Sequence, residues 1–495
     1  MAFDFRFVRG TVSPSRHPRP LNPIFCRLWN VALRVLAGSL VVSIAFAAWH
    51  DVSQAWDSGY YHLPFAARLA GIVGPDALVF DVVDQARFQG FPLLGELLQG
   101  WLWRITGRIE CANFVCVLSI PLFAWFLRRR FDVPLHLSTI SLLAIPLVQT
   151  HATSCYVDLP ANAAASIVVL LAIEAHATSR ELTMKTLVLA CVAATIAANM
   201  KALLHVIIAF ALAAIALRLV RERSHSKMAA LALFAPIIFL TPLKNLWLHG
   251  NPYFPLQLTF LGHPLAGIEP PYDSSPPWLA QAPRFVRFLC SVLEIGVRPL
   301  TDPRRWTVDQ WMPQSSTGNR MGGFFGMYAL ANVGLLAWRA IRDREGPARR
   351  TALGFAGFTL LISLMPQSHE LRYYLSWMIV LVSLNAWLAC RADAVPFLLQ
   401  RAMLETLATA SLLIVIACTR ANYVVASGSS LPELLRNKVD EHALETVANG
   451  SRVCVSREPY TLYYAAPFHP PRHYVVQEAE EPTDCAGAPM LGDSR

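Results

Sequence analysis

Eleven apolar runs thread this chain of 495 residues and constrain its fold more than any other feature. A hydrocarbon core of about 30 Å takes roughly 20 helical residues to cross. The runs read as crossings near 33–49, 110–127, 135–150, 157–176, 184–199, 202–220, 228–243, 323–341, 351–366, 371–390 and 403–419. Apolar residues make up 55% of the chain and charged residues only 15%, with a mean hydropathy of +0.41. A soluble domain carries about 25% charge. The expected fold class is therefore an all-α polytopic membrane protein with about eleven transmembrane helices in a lipid bilayer.

The net charge of +9 invites a nucleic-acid reading. The basic residues instead fall in short clusters between apolar runs, where they act as topology signals, and no nucleic-acid partner is expected. Arg6, Arg9, Arg16, Arg19 and Arg27 precede the first run. That leader is long and polar and lacks a small-residue cleavage site, so the run reads as a retained anchor. Alternate connections are then basic: Arg128 to Arg130; Arg180 and Lys185; Arg218, Arg221, Arg223 and Lys227; Arg339, Arg342, Arg344, Arg349 and Arg350; Arg391 and Arg401. The connections at 150–157, 199–202 and 367–371 hold only Lys201 between them. This pattern places the N-terminus inside and the C-terminus outside.

The chain divides into a cytoplasmic segment at 1–32, a transmembrane domain at 33–420 and a small extracytoplasmic region at 421–495. Two long outer loops, 50–109 and 244–322, interrupt the transmembrane domain. In the first, Tyr61 to Ala70 and Leu93 to Ile105 have the periodicity of amphipathic surface helices. In the second, Pro283 to Val297 reads as a short helix. The tail reads as a small α/β unit, with a helix face at Leu431, Leu434, Leu435, Val439, Leu444 and Val447. Its strands are expected at Arg452 to Ser456 and His473 to Val476. Ten cysteines are scattered without zinc-site spacing. Cys454 and Cys485 share the tail, and spacing alone does not decide whether they are bonded.

The spans hold few ionisable residues, and no proton-relay or ion-coordination chain runs through them. Polar groups gather at outer ends instead: Asp51, Asp57, Tyr60, His62, Asp81, Asp84 and Glu96 in the first loop; His151, Tyr156 and Asp158; Lys201; Lys244 and Asn245; His369, Glu370 and Arg372. Five segments in this set resemble one family. They are W-D-S-G-Y-Y-H-L-P-F at 56–65, G-F-P-L-L-G-E-L-L at 90–98, S-C-Y-V-D-L-P at 154–160, K-N-L-W-L-H-G-N-P-Y-F-P at 244–255 and H-E-L-R-Y-Y-L at 369–375. In this order they are similar to the GT-C class of integral-membrane glycosyltransferases, and most similar to bacterial relatives of protein mannosyltransferases and aminoarabinose transferases. The resemblance covers roughly residues 30–390, not the tail.

It implies a transferase that takes a sugar from a polyprenyl-phosphate carrier and delivers it to a glycan, lipid or protein acceptor. Transfer would occur with inversion, on the outer, periplasmic face of the cytoplasmic membrane. Such a displacement needs a carboxylate to draw the acceptor proton and cations to stabilise the leaving phosphate. By the resemblance, Asp57 is the general-base candidate; its structural alternative is capping a helix or pairing with a cation. Asp158, just before Pro160, is the second catalytic candidate and otherwise an N-terminal helix residue. Tyr60, His62 and Glu96 are substrate-binding candidates, with plain surface roles as their alternatives. Lys201 and Arg372 are the phosphate partners, or else interfacial snorkelling residues, and Lys244 and His369 are weaker candidates of the same kind. Asn251-Pro252 is expected to shape a turn.

No cofactor is expected. Some members of the class bind a divalent metal through first-loop carboxylates, but Asp57 is followed by Ser58, leaving Asp51, Asp57 and Asp158 as the trio to gather one. Three rivals stay open, one of them a catalytically silent scaffold. A polysaccharide polymerase or ligase would work through Arg298, Arg304, Arg305 and Arg320 of the second loop. A transporter or flippase would show mid-bilayer polar residues and similar halves.

Overall fold

The computed structural model describes residues 23–495, except 179, 272, 274, 303–304, 307–322, 344, 392–396, 457–458, 480–484, 486–487, 489 and 492–495. Arg6, Arg9, Arg16, Arg19, Arg304, Arg320 and Arg344 lie outside the described residues. The chain is mostly helical, with 66% of it in helices. It opens with α1 (Pro23–His50), and the first long loop follows with α2 (Leu63–Leu69), β1 (Leu78–Val79), α3 (Val82–Gly90) and α4 (Leu94–Thr106). Next come α5 (Phe114–Phe131), α6 (Leu135–Leu143), α7 (Pro146–Ala152), α8 (Asp158–Ala177), α9 (Met184–Met200) and α10 (His205–Arg221). Then follow α11 (His225–Ile238), α12 (Leu240–His249), the hairpin β2 (Thr259–Phe260) and β3 (His263–Pro264), and α13 (Arg284–Val292). The remaining membrane-domain helices are α14 (Gly326–Arg342), α15 (Pro347–Leu364), α16 (Ser376–Cys390) and α17 (Phe397–Cys418). The tail holds α18 (Leu431–Lys438), α19 (Glu441–Glu445), β4 (Arg452–Ser456), β5 (Val475–Ala479) and β6 (Met490–Leu491).

Five described helical segments are long and apolar enough to cross a bilayer: Arg27–His50, Ile109–Phe131, Asp158–Ala177, Ala202–Arg221 and Gln400–Cys418. A sixth is added if α11 and α12, which meet at a 54° bend, count as one span. Backbone chemistry explains why several of the eleven apolar runs fall short. Pro146 stops the run at 135–150 and splits it into α6 and α7, because the residue before a proline is pushed out of the helical region. Pro236 lies inside α11 and Pro242 follows the bend, so two N–H donors are missing there. The carbonyls freed at the bend are taken up by Asn199, whose Nδ2 donates to Ile237 O (3.0 Å) and Ile238 O (3.2 Å).

The centre of the bundle is α8, packed against α5, α9, α10, α15 and α16. Its first half is P-A-N-A-A-A, and the facing helix α9 ends in A-A-T-I-A-A-N. Small side chains let two such helices approach closely, which is the packing available where lipid removes any hydrophobic drive. The outward faces carry Leu118, Leu122 and Trp125 on α5, Leu233 and Ile237 on α11, and Leu353 and Leu360 on α15, all exposed. A water-facing surface does not carry so many large apolar groups in a belt.

The tail does not have a core to itself. Val453, Val455, Leu462, Tyr463 and Val476 of the tail pack with Leu63, Phe65, Leu78, Phe80 and Trp103 of the first long loop. One parallel sheet runs in the order β1-β5-β4-β6, with Leu78 of the first loop paired to Val476 of the tail. Cys454 and Cys485 are disulfide-bonded within it. Gly59 lies beneath the Pro459 carbonyl, and a Cβ at that position would collide with it. The sheet thus carries the first loop's acidic motif from behind.

Candidate active site

The acidic motif is wound into an unusual turn. Residues Ser58–His62 form a π-helical turn, closed by the Leu63 N–H donating to the Ser58 carbonyl. Pro64 follows and has no N–H to offer the Tyr60 carbonyl, so the ordinary α ladder cannot run through. A π turn closes at i→i+5. It therefore brings residues five apart, such as Asp57 and His62, onto successive turns of one face. The expected helix from Tyr61 starts as α2 at Leu63, and no hydrogen bond joins the Asp57 carboxylate to the turn it precedes.

That carboxylate accepts from Arg372 instead, Nη1 to Oδ2 at 2.9 Å. The Asp57 N–H donates to the hydroxyl of Tyr156 at 2.9 Å. Asp158 likewise caps nothing, although it stands at the first turn of α8; its carboxylate is held by the Lys201 ammonium. Lys201 ends α9 in an extended conformation before a short 3₁₀ turn, which frees its side chain from both helices. Two carboxylate–cation pairs are thus assembled from four distant stretches of chain. Both cations lie over the Tyr373 ring, at 4.3 Å for Lys201 and 4.8 Å for Arg372. Arg372 also covers Tyr156 at 5.3 Å and has Glu370 at 3.6 Å from its Nε.

Asn162 fixes the geometry. Its Nδ2 donates to Asp158 O (2.9 Å) and Arg372 O (3.4 Å), while its Oδ1 accepts the Ser376 N–H (3.0 Å). The start of α8 is thereby tied to the segment that carries Arg372. Burial lowers the Lys201 ammonium below the ordinary lysine range, and Asp158 opposes that shift only in part. Burial first, and Asp57 second, raise the Tyr61 phenol well above its usual value, so it stays a proton donor at neutral pH.

The third pair in the cluster is His62 and Glu96, joined Nδ1 to Oε1 at 2.6 Å and almost fully buried. Glu96 stands in the first turn of α4. The His62 ring lies 5.6 Å from that of Tyr156, which is 5.5 Å from His151 on its other side. Glu96 is thus a buried partner of His62 and not a solvated face residue.

Of the nine residues singled out from the sequence, six meet here: Asp57, Asp158, His62, Glu96, Lys201 and Arg372. Three stand apart. Tyr60 stacks with Trp56 at 6.1 Å and lies beneath Arg87 at 5.7 Å. Lys244 donates to the Gln89 carbonyl at 2.5 Å. The backbone carbonyl of His369 accepts from Ser291 at 2.5 Å, and the residue is buried beside α13. Asn251 shapes its loop, with Nδ2 donating to Leu256 O and Ala266 O, both at 2.7 Å. Asp51 accepts the backbone N–H groups of Ser427, Gly428 and Ser429, which anchors the chain after α17. Asp51, Asp57 and Asp158 therefore each have separate partners. Arg298 and Arg305 are held in local ion pairs with Asp302 (3.3 Å) and Glu294.

The sequence reading left out Tyr156 and Tyr373 as site residues. The aromatic content of S-C-Y-V-D and R-Y-Y was visible, but nothing in one chain showed that both rings lie under the same guanidinium. A third acidic group, Asp81, Asp84 and Glu478, gathers at the N-terminus of α3, away from this cluster. Asp81 accepts the Asp84 N–H at 2.6 Å and Glu478 accepts the Asp81 N–H at 3.3 Å, so these groups brace α3 against the tail.

No protein-family model and no curated protein matches the chain. Its fold does match solved structures. The apo crystal structure of ArnT from Cupriavidus metallidurans superposes with a TM-score of 0.50, over 91% of this chain and 90% of that one, at 13% identity. The crystal structure of the same ArnT bound to undecaprenyl phosphate gives 0.49 over 90% and 89%, at 14% identity. ArnT is an aminoarabinose transferase, a GT-C glycosyltransferase. The chain shares the fold of the apo protein, and it is a multi-pass membrane protein.

Proposed function

We propose that this protein is a glycosyltransferase that moves a sugar from a polyprenyl-phosphate carrier to an acceptor hydroxyl, with an active centre at Asp57, Asp158, Lys201 and Arg372. The carrying observation is the pairing itself. Two carboxylates and two cations meet over Tyr373 at the ends of apolar helices. Glycosyl displacement from a lipid phosphate asks for that set of charges: a carboxylate at the attacking hydroxyl and fixed cations where charge grows on the leaving phosphate. Arg372 offers a planar fork and Lys201 a point charge to the phosphate. Asp57 takes the acceptor proton, and Asp158 orients Lys201 and the sugar. Inversion at the anomeric carbon follows if the hydroxyl attacks opposite the phosphate in one step. The fold shared with ArnT supports the reading.

In this proposal the bundle has eleven spans with the N-terminus inside. Asp57, Asp158, Lys201 and Arg372 then lie on the outer, periplasmic face of the cytoplasmic membrane, as does the disulfide-bonded tail. A disulfide persists in such an oxidising compartment. The acceptor is a glycolipid, polysaccharide or protein of the cell envelope.

The test is mass spectrometry of envelope glycans from cells carrying the wild-type protein or Asp57→Asn. Loss of one sugar modification with normal membrane insertion is the expected result. An unchanged glycan profile, or loss only on substitution of Arg305, refutes the assignment.

A further inference from the structure

Each cation of the site already holds a carboxylate. Arg372 and Lys201 are about equally enclosed, each side chain 12% exposed, and their partners Asp57 and Asp158 are 21% and 3% exposed. The donor is a phosphodiester with one charge and two free oxygens, and the monoester left when the sugar departs carries up to two charges and three acceptor oxygens; both need the cations that the carboxylates hold. Both cations lie close to the centre of the single Tyr373 ring, Lys201 at 4.3 Å and Arg372 at 4.8 Å, and the Arg372 charge is felt at Lys201, so an anion bound at one is drawn to the other. Glu370 stays behind Arg372 at the Nε edge, 3.6 Å away, and holds the guanidinium in place while its Nη1 changes partner.

We propose that the donor phosphate and the two carboxylates compete for Arg372 and Lys201, so that the empty enzyme masks its own base and donor binding unmasks it. The inference rests on the donor reading above and deepens it. In the empty enzyme Oδ2 of Asp57 is occupied by Nη1 of Arg372. When Arg372 turns to the phosphate, that oxygen is freed to accept the proton of the attacking hydroxyl. The acceptor oxygen then bonds to the anomeric carbon, and its proton passes to Asp57. The carbon–oxygen bond to the phosphate breaks, with its electron pair going to the phosphate oxygen, which Arg372 and Lys201 hold. Donor binds before acceptor, and an empty site does not activate stray hydroxyls.

Competition has a signature that a purely structural ion pair lacks. Removing the carboxylate charge destroys transfer but tightens phosphate binding. The measurement is equilibrium binding of a short-chain polyprenyl monophosphate, the carrier that the proposed reaction releases, to the purified full-length protein in lipid nanodiscs. The variants are Asp57→Asn, Asp158→Asn, Arg372→Gln and the pair Asp57→Asn with Arg372→Gln. Asp76→Asn, an exposed first-loop position, controls for overall charge. Asp57→Asn and Asp158→Asn each bind about tenfold more tightly than wild type. Asp76→Asn matches wild type, Arg372→Gln binds more weakly, and the double variant loses the gain of Asp57→Asn. Unchanged or weaker binding by Asp57→Asn, with Arg372→Gln still impaired, overturns the competition and leaves the donor reading standing. Failure of the wild-type protein to bind the probe overturns both.

Discussion

Lys201 is the site residue whose charge is most exposed to pH. Its ammonium is destabilised by burial and only partly rescued by Asp158. A lysine with a lowered pKa loses its proton earlier on the alkaline side than the usual value of about 10.4. Transfer therefore declines as pH rises through that lowered value, and Lys201→Arg, whose guanidinium stays charged, carries the decline to higher pH. The pH profile of kcat for the two proteins checks this, and coincident alkaline limbs contradict it. Arg372 is harder to replace. Arg372→Lys keeps the charge but loses the planar fork that reaches Asp57 while the same group lies over Tyr156 and Tyr373. It is expected to lower kcat by about 10²-fold, the cost typical of losing one aligned donor at a developing negative charge. A variant within threefold of wild type would show that charge alone suffices.

At the scale of elements, the site depends on two devices. The first is the π turn at 58–62, which Pro64 enforces by withholding an N–H. Pro64→Ala restores that donor and allows an α turn, which rotates Asp57 away from His62. Misplacement by about 1 Å is enough to cost up to 10²-fold in rate, so kcat falls by about tenfold or more while thermal stability changes little. Parallel activity and melting measurements separate this from general unfolding. The second device is Asn162, which ties α8 to the segment bearing Arg372. Asn162→Ala leaves the buried Ser376 N–H without its acceptor, at a cost of about 1–3 kcal/mol. The expected result is a lower melting temperature in micelles with a loss of kcat, and retention of both would mean that packing alone positions Arg372.

At the scale of the whole molecule, the tail and the first long loop form one body. Its sheet pairs Leu78 with Val476, its core mixes residues of both, and the disulfide lies inside it. Reducing Cys454–Cys485, or replacing both by Ser, removes about 2–4 kcal/mol of restraint on that body. Hydrogen exchange should then rise in β4 and β5 and also in β1, while α8 and α16 keep their protection. A rise confined to the tail would show that β1 does not depend on it.

The bulk of the fold class was legible because a bilayer imposes a one-dimensional rule. A crossing must satisfy its backbone within an apolar helical stretch, and basic residues mark the ends that stay inside. The same rule located the first-loop helices, since α4 appears as Leu94–Thr106 where Leu93 to Ile105 was periodic. Local chemistry was less visible. Pro146, Pro236 and Pro242 broke runs that hydropathy joined, because hydropathy measures side chains and a proline acts on the backbone. Partnerships were not visible at all. The sequence alone determined that Asp57, Asp158, Lys201 and Arg372 are polar groups at helix ends in an apolar chain. Only the tertiary structure decided that Asp57 faces Arg372 and Asp158 faces Lys201, and that Lys244 and His369 face neither. Pairings between residues 43 and 315 positions apart depend on how helices pack, and packing is a property of surfaces in contact that no single stretch of chain contains.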